Sequence, residues 1–357
     1  MGGRAIPLFR LTFLCLCSSF GILNSKRWRP RHLNFSAAVF PRGPKREGSI
    51  RAIALDMDGT LMSSHQTVSA KNVAAVEWAR RNGKFIFIAS GRTRTGAMNA
   101  LGAYGELLKA QGGFPGVYCN GLLVYGQRSQ VLFERALDTS AVAAVAEFCR
   151  ARGLPFVGYS REEILCDELT AHLARMHNEY KEALPLAVGD VVEAAKEGRV
   201  INKMLIFDDP ETIAAVRPAL ESLAPSLGGR VVQAVPDMIE VLPEGASKAE
   251  GIAALLKNVN IDPEDLMAVG DGENDIEMIQ LAGVGVAVAN AQPKLKAFAK
   301  FEVASNDEDG VAEAICRFAQ VAESQLATVE RDLATRLVPF CALSAAEGDV
   351  VSSEEDA

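Results

Sequence analysis

The chain has 357 residues, of which 49% are hydrophobic and 23% charged, so it has enough apolar material for a large core and a length suited to one to three domains. Its formal net charge is −8, but residues 1–46 contain nine Lys or Arg and no Asp or Glu, which leaves a charge of −17 on the remainder. Such an acidic body lacks the excess of Lys and Arg on which nucleic-acid affinity depends. We therefore expect a small substrate and no nucleic-acid partner.

The first 46 residues are basic, free of acids and contain four serines, a composition typical of an organellar transit peptide. We expect targeting to the plastid rather than to the mitochondrion. A secretory signal is the alternative, because the apolar run 11–23 follows Arg4 and Arg10. No membrane span is expected, because Arg10 interrupts an apolar stretch that is already shorter than the ~20 residues a bilayer requires.

From Arg51 onward, short apolar runs alternate with helical periods, which is typical of a parallel sheet flanked by helices. The pattern predicts strands at 52–55, 84–89, 116–119, 266–269 and 284–288, and helices at 70–82, 95–110 and 275–282. The predicted fold class is therefore α/β, with a Rossmann-like doubly wound parallel sheet.

A second module is predicted inside this sheet domain, at 136–235, with helices at 139–152 and 210–223 and strands at 156–159 and 203–207. Such an insertion would form a lid, because ligands of open α/β sheets bind outside the carboxyl ends of the strands. The predicted division is 51–135 for the first part of the core, 136–235 for the inserted module, 236–320 for the second part of the core, and 321–357 for a C-terminal helix and a disordered acidic tail that begins at 345.

Two aspartates follow the first predicted strand in the segment RAIALDMDGTL. Asp56 and Asp58 leave the strand end into a turn with Gly59 and Thr60, where the ligand crevice is expected. Aspartates two residues apart in a turn are often only caps or Asx-turns. Taken alone, this pair leaves both a functional and a structural interpretation open.

A second acidic segment, GDGENDIEM, repeats the arrangement after the strand at 266–269. Its Asp271 and Asp275 would repel Asp56 and Asp58 unless a cation lay between them, and carboxylate-rich oxygen sites suit Mg²⁺. A structural alternative is that these acidic residues only stabilise the first turn of a helix by interacting with its dipole, and Glu277 fits that role.

Two further segments suit a phosphate group. Ser90 and Gly91 follow the second strand and offer a hydroxyl and backbone N–H groups where a helix begins, with Arg92 next to them. Lys248, in EGASKAEG, opens another predicted helix and can meet phosphate as a point charge. Neither feature alone indicates a phosphate site, because Ser-Gly pairs are common in turns and lysines in the first turn of a helix are usually solvated.

Taken in order, DMDGT, Ser90, Lys248 and GDGEND resemble the four motifs of the haloacid dehalogenase superfamily, and more closely those of the Cof-type phosphatases. The resemblance covers about residues 51–320 and implies an α+β cap of type IIB between the second and third motifs. The pair Asn120-Gly121 resembles the usual hinge into that cap.

The resemblance implies a Mg²⁺-dependent phosphoric monoester hydrolase that acts on a small phosphorylated metabolite, either a sugar phosphate or a phosphorylated cofactor. Asp56 would be the nucleophile that forms an aspartyl phosphate, and Asp58 the general acid and base. The implied Mg²⁺ ligands are Asp56, the main-chain carbonyl of Asp58, Asp271 and Asp275. The implied phosphate-binding group comprises Thr60, which would order its loop, Ser90, Gly91, Lys248, and Asn274, which would position Lys248 or the phosphate.

Two other functions stay open at this point: a phosphomutase, which shares both aspartates, and a non-catalytic organellar regulatory or ribosome-associated protein. The second arises because residues 51–320 are also similar to the phosphatase-like module that some plant chloroplast proteins carry behind a YbeY-type endoribonuclease. That nuclease needs a close histidine cluster, whereas this chain has four scattered histidines, so nuclease activity is not expected. The acid at Asp58 argues against dehalogenation.

Overall fold

The computed structural model describes residues 50–233 and 235–346. The predicted transit peptide and the acidic residues from Glu347 onward lie outside the described residues. Within the described part of the chain, every helix is too short or too polar to cross a bilayer.

The strands and helices alternate along most of the chain. The strands are β1 (Ala52–Leu55), β2 (Phe85–Ala89), β3 (Gly116–Tyr118), β4 (Leu123–Tyr125), β5 (Val131–Glu134), β6 (Phe156–Ser160), β7 (Glu163–Cys166), β8 (Leu186–Ala187), β9 (Lys203–Phe207), β10 (Gly229–Val232), β11 (Met238–Pro243), β12 (Leu266–Gly270), β13 (Val284–Val288) and β14 (Phe301–Val303). The helices are α1 (Ala70–Arg81), α2 (Arg94–Ala100), α3 (Gly102–Ala110), α4 (Thr139–Arg150), α5 (Ala171–Tyr180), α6 (Val191–Lys196), α7 (Pro210–Leu223), α8 (Lys248–Val259), α9 (Ile276–Leu281), α10 (Pro293–Lys296), α11 (Gly310–Ala319) and α12 (Glu323–Ala346).

The first sheet has the strand order β14-β13-β12-β1-β2-β3-β4-β5 and is parallel from β14 to β3. In the register, Ala52 of β1 lies opposite Leu266 of β12 and Phe85 of β2. The carboxyl ends of β1, β2 and β12 therefore meet at one edge. Helices α1, α3, α11 and α12 pack together, and α8 packs with α9, as expected for a doubly wound sheet.

The second sheet, here called the cap sheet, has the order β10-β11-β9-β6-β7-β8 and is inserted between β5 and α8. Its strands alternate between two apolar clusters, since the side chains of a strand point to opposite faces in turn. Met204 and Ile206 of β9 pack in the cap's own core, whereas Leu205 and Phe207 join the cluster that contains the first sheet. One face of the cap sheet is thus turned toward the core domain.

The structure departs from the predicted elements in three places, besides small shifts at strand and helix ends. The single helix predicted at 95–110 is wrong: α2 and α3 are separate, because Gly102 adopts φ +55° at the junction. The cap sheet continues past residue 235, because β11 pairs with β9. Helix α12 reaches Ala346 and so includes the first two residues of the expected disordered tail.

Candidate active site

The first loop of the site is a wide turn directly after β1. Asp56 follows the strand, and the N–H of Met62 donates to the carbonyl of Met57 (2.9 Å) to close the turn over 57–61. Gly59 has φ +75°, and a Cβ at this position would collide with Oδ2 of Asp271. Glycine is therefore required here, because the turn combines a left-handed backbone with close approach to the neighbouring loop.

The loop after β12 supplies two more carboxylates. Oδ2 of Asp275 accepts the backbone N–H groups of Asp271 (3.0 Å) and Gly272 (3.1 Å), which fixes this tight loop. The hydroxyl of Thr60 donates to Oδ1 of Asp271 (3.0 Å) and joins the two loops. Thr60 thus orders the site through Asp271.

Lys248 is the first residue of α8, which is capped by the Ser247 hydroxyl accepting the N–H of Glu250. Its buried Nζ donates to Oδ1 of Asp56 (2.5 Å) and Oδ1 of Asp275 (2.7 Å). Burial lowers the pKa of this lysine, but the charges of Asp275 and Asp56 outweigh burial and raise it overall. Lys248 therefore stays charged between two carboxylates.

Oxygens of Asp56, Asp271 and Asp275 all lie within 4.8 Å of one another. Burial and the charge of Asp275 raise the pKa of Asp56 well above its usual value and that of Asp271 to about 6. Three carboxylates against one ammonium leave excess negative charge, which hard divalent cations such as Mg²⁺ neutralise through oxygen ligands. The donor set therefore fits such an ion.

The side chain of Asp58 lies apart from this cluster and is held by Arg92. Two hydrogen bonds join them, from Arg92 Nη2 to Asp58 Oδ1 (2.6 Å) and from Nε to Oδ2 (2.8 Å). The buried guanidinium also donates to Gln66 Oε1 (3.1 Å) and to the carbonyl of Tyr180 at the end of α5 in the cap. The resemblance implies that Asp58 binds the metal through its main-chain carbonyl and not through its side chain. That role stays a prediction.

Ser90 is buried at the end of β2, and its Oγ accepts the N–H of Arg92 (3.2 Å). Because strand register aligns Leu55 with Ile88, Ser90 and Gly91 leave the same sheet edge as Asp56. This loop is the predicted phosphate-binding segment.

Asn274 lies in the loop after β12 and bonds to Asn120, which belongs to the pair predicted to form the hinge. Its Nδ2 donates to Oδ1 of Asn120 (3.1 Å), whose own Nδ2 donates to Oε2 of Glu240 in the cap sheet (2.7 Å). The hydrogen bonds of Lys248 go to Asp56 and Asp275 instead. Among the described residues, Asn274 and Lys248 thus share no hydrogen bond. The alternative role of Asn274, which is to position the phosphate, stays a prediction.

A family model for haloacid dehalogenase-like hydrolases matches residues 53–315. The chain belongs to this family. The predicted superfamily and the fold class, a doubly wound core with an inserted cap, are thereby confirmed.

This chain has relatives in plants and bacteria. It is 36% identical over 276 residues to the chloroplastic endoribonuclease YBEY of Arabidopsis thaliana, a match that covers 75% of this chain and 46% of that protein. The chain thus spans less than half of this relative. The putative phosphatase YxeH of Bacillus subtilis is 28% identical, with 74% of this chain and 97% of the relative covered. The 5-amino-6-(5-phospho-D-ribitylamino)uracil phosphatase YitU of Bacillus subtilis is 26% identical, with 73% and 94% covered.

Solved structures of the superfamily share the fold of the hydrolase. A haloacid dehalogenase-like hydrolase from Bacteroides thetaiotaomicron superposes with a TM-score of 0.66 at 30% identity and covers 75% of this chain and 99% of its own. A subclass IIB sugar phosphatase of the superfamily gives a TM-score of 0.63 at 27% identity and covers 76% and 100%.

Sequence reasoning missed two features of the hydrolase's site. In the sequence, Arg92 stands out only as a neighbour of Ser90 and Gly91, and its position gives no sign that it binds Asp58. Lys203 is recognisable as a possible cap contact, but its buried pairing with Glu240 is not, although charged residues within apolar strand segments are a usable signal.

Proposed function

We propose that this protein is a Mg²⁺-dependent phosphatase that hydrolyses a small phosphorylated metabolite through an aspartyl-phosphate intermediate on Asp56. The observation that carries the proposal is the cluster at the carboxyl edge of the sheet, where Lys248 bridges Asp56 and Asp275 beside Asp271. Phosphoryl transfer needs positioning and charge neutralisation more than elaborate covalent chemistry, and this cluster supplies both.

In the first step, a carboxylate oxygen of Asp56 attacks phosphorus, and the bond from phosphorus to the leaving oxygen breaks. Lys248 holds Asp56 in place and lies next to the position of the phosphoryl oxygens. Asp56, Asp271, Asp275 and the carbonyl of Asp58 would hold Mg²⁺, which when bound neutralises negative charge on the phosphoryl oxygens. Thr60 keeps Asp271 oriented.

Asp58 serves as general acid and base. Its carboxyl group donates a proton to the leaving oxygen in the first step, and the resulting carboxylate takes a proton from the water that attacks the aspartyl phosphate in the second. Arg92 fixes the direction of this carboxyl group through two hydrogen bonds. The second step releases inorganic phosphate and restores Asp56.

The phosphoryl group is received by the loop of Ser90 and Gly91. Because the Ser90 Oγ already accepts the N–H of Arg92, its own proton is available to a phosphoryl oxygen. Backbone N–H groups at the start of a helix add further donors for an anion.

The substrate is proposed to be an organic phosphate monoester, either a sugar phosphate or a phosphorylated cofactor. A relative named for 5-amino-6-(5-phospho-D-ribitylamino)uracil and a structural neighbour named a sugar phosphatase support this class. We further propose a plastid location, which is supported by the chloroplastic plant relative and the basic N-terminal composition.

The test is phosphate release by the purified full chain from p-nitrophenyl phosphate with Mg²⁺. We expect activity that EDTA abolishes and that Asp56→Asn lacks. Activity retained by Asp56→Asn would refute the mechanism. A phosphomutase would instead require a bisphosphate activator and show no net release of phosphate.

A further inference from the structure

A charged pair lies on the face of the cap sheet that is turned toward the core. Lys203 of β9 shares this face with Leu205 and Phe207, which belong to the apolar cluster of the core domain. Glu240 of β11 lies beside it, and β11 pairs with β9 so that Glu240 is opposite Leu205. The exposed fractions are only 1% for Lys203 and 6% for Glu240.

The pair is well formed but costly to bury. Nζ of Lys203 donates to Oε1 of Glu240 (2.9 Å) and lies 4.1 Å from the ring centroid of Tyr159. Taking two charges out of water carries a desolvation penalty that apolar residues of similar size would avoid. The other contacts of the pair indicate what it does at this position.

Both members of the pair also bond to the core. Nζ of Lys203 donates to the carbonyl of Gly91 (2.9 Å), and Glu240 accepts the Nδ2 of Asn120 (2.7 Å). The two charged side chains therefore form hydrogen bonds from the cap to two different loops of the core.

Each core contact leads to Ser90. The carbonyl of Gly91 belongs to the same peptide group as the N–H of Arg92, and that N–H donates to Ser90 Oγ (3.2 Å). The N–H of Asn120 donates to the carbonyl of Ser90 (3.0 Å). Lys203 and Glu240 thus hold the phosphate-binding loop from two directions.

We propose that Lys203 and Glu240 are positioning residues that hold the loop of Ser90 and Gly91, together with the hinge residue Asn120, in the geometry that binds phosphate while the cap lies against the core. The inference rests on the proposed phosphatase function. When the cap moves away, the bond between Lys203 and Glu240 stays within the cap sheet, but both bonds to the core break. Phosphate binding and cap closure therefore favour each other, since such coupling is reciprocal.

The test separates positioning from simple stabilisation by comparing Lys203→Met with the double variant Lys203→Met/Glu240→Leu. The single variant leaves the charge of Glu240 buried without its partner, so both melting temperature and activity fall. The double variant removes both charges, so its melting temperature recovers. Its kcat/KM for p-nitrophenyl phosphate stays about tenfold to hundredfold below wild type, mainly through KM, and inhibition by orthovanadate weakens to a similar extent.

Lys196→Met is the matched control, because Lys196 is an exposed cap lysine that pairs with Glu193 one turn away. It retains wild-type kinetics. A double variant that regained wild-type kcat/KM and vanadate inhibition together with its stability would overturn the inference and show that the pair only stabilises the fold. A wild-type chain that released no phosphate would instead refute the proposed function itself.

Hydrogen exchange on the wild-type chain gives a second test that needs no variant. Adding Mg²⁺ with orthovanadate is expected to protect the loop of Gly91, the hinge at Asn120 and strand β9 together. Protection confined to the loop, with β9 and β11 unchanged, would contradict the coupling.

Discussion

Replacing Arg92 by alanine tests how the site controls its proposed acid. The guanidinium binds both oxygens of Asp58, at 2.6 and 2.8 Å, and is itself fixed by Gln66 and the cap carbonyl of Tyr180. Without it, Asp58 keeps its chemistry but loses its fixed direction. General acid–base catalysis contributes about 10² to 10⁴ in rate, and losing only the orientation forfeits part of that factor. We expect kcat to fall about 10- to 100-fold, which equals about 1.4 to 2.7 kcal/mol in the barrier.

The assay compares two leaving groups in Arg92→Ala and wild type. An alkyl ester such as glycerol phosphate releases a basic alkoxide that needs the proton of Asp58, whereas p-nitrophenolate leaves more readily without it. The loss in kcat should therefore be larger on glycerol phosphate. Arg161→Ala is the control, because Arg161 forms the same two-bond pair with Glu134 (2.8 and 2.9 Å) at an exposed position. Equal losses on both substrates, or wild-type rates in Arg92→Ala, would show that Arg92 does not orient Asp58 for proton transfer.

Three further predictions concern the aspartate cluster. Lys248→Met should lower the free energy of unfolding by about 3 to 5 kcal/mol in metal-free protein, because two buried carboxylates lose their counter-charge. The same variant should have no measurable turnover. Near-wild-type stability in denaturant unfolding would contradict this prediction. Gly59→Ala and Gly83→Ala should each lower the free energy of unfolding by about 1 to 2 kcal/mol through the left-handed backbone that both positions share at φ +75°. Gly59→Ala should cost more than Gly83→Ala and should alone weaken Mg²⁺ binding in titration calorimetry, because only a Cβ at residue 59 would collide with Asp271; equal Mg²⁺ affinities would argue against the packing. Mg²⁺ affinity should fall as the pH drops through about 6, because Asp271 then takes up a proton; a flat affinity between pH 5 and pH 8 would contradict this.

Much of the fold follows from local patterns in the sequence. Four elements match their predicted bounds: β1, β9, β13 and α7. Each is an apolar or amphipathic run with clear start and stop signals in the sequence at its ends. The break between α2 and α3 was not predictable, because the left-handed backbone of Gly102 depends on how the two helices pack.

The site was predictable where its residues follow strand ends, and at Lys248, which opens α8. Asp56 and Asp271 come directly after β1 and β12, Asp275 follows in the second of these loops, and adjacency of the two strands brings the three aspartates together. Arg92 and Asn120 each have one partner in the cap, Tyr180 and Glu240 respectively, and a single sequence does not specify how an inserted module docks on its core. These cap contacts therefore became visible only in the folded structure.

In the proposed mechanism, Asp56 carries the phosphoryl group during turnover. Full-length protein mixed with substrate and Mg²⁺ can be quenched in acid within milliseconds, digested, and analysed by mass spectrometry. We expect one phosphoryl group on the peptide that contains Asp56. This group should be lost in Asp56→Asn and should accumulate in Asp58→Asn when the leaving group is p-nitrophenolate. Full turnover with a phosphorylated residue other than Asp56, or with no phosphorylated peptide under conditions that trap the intermediate, would contradict it.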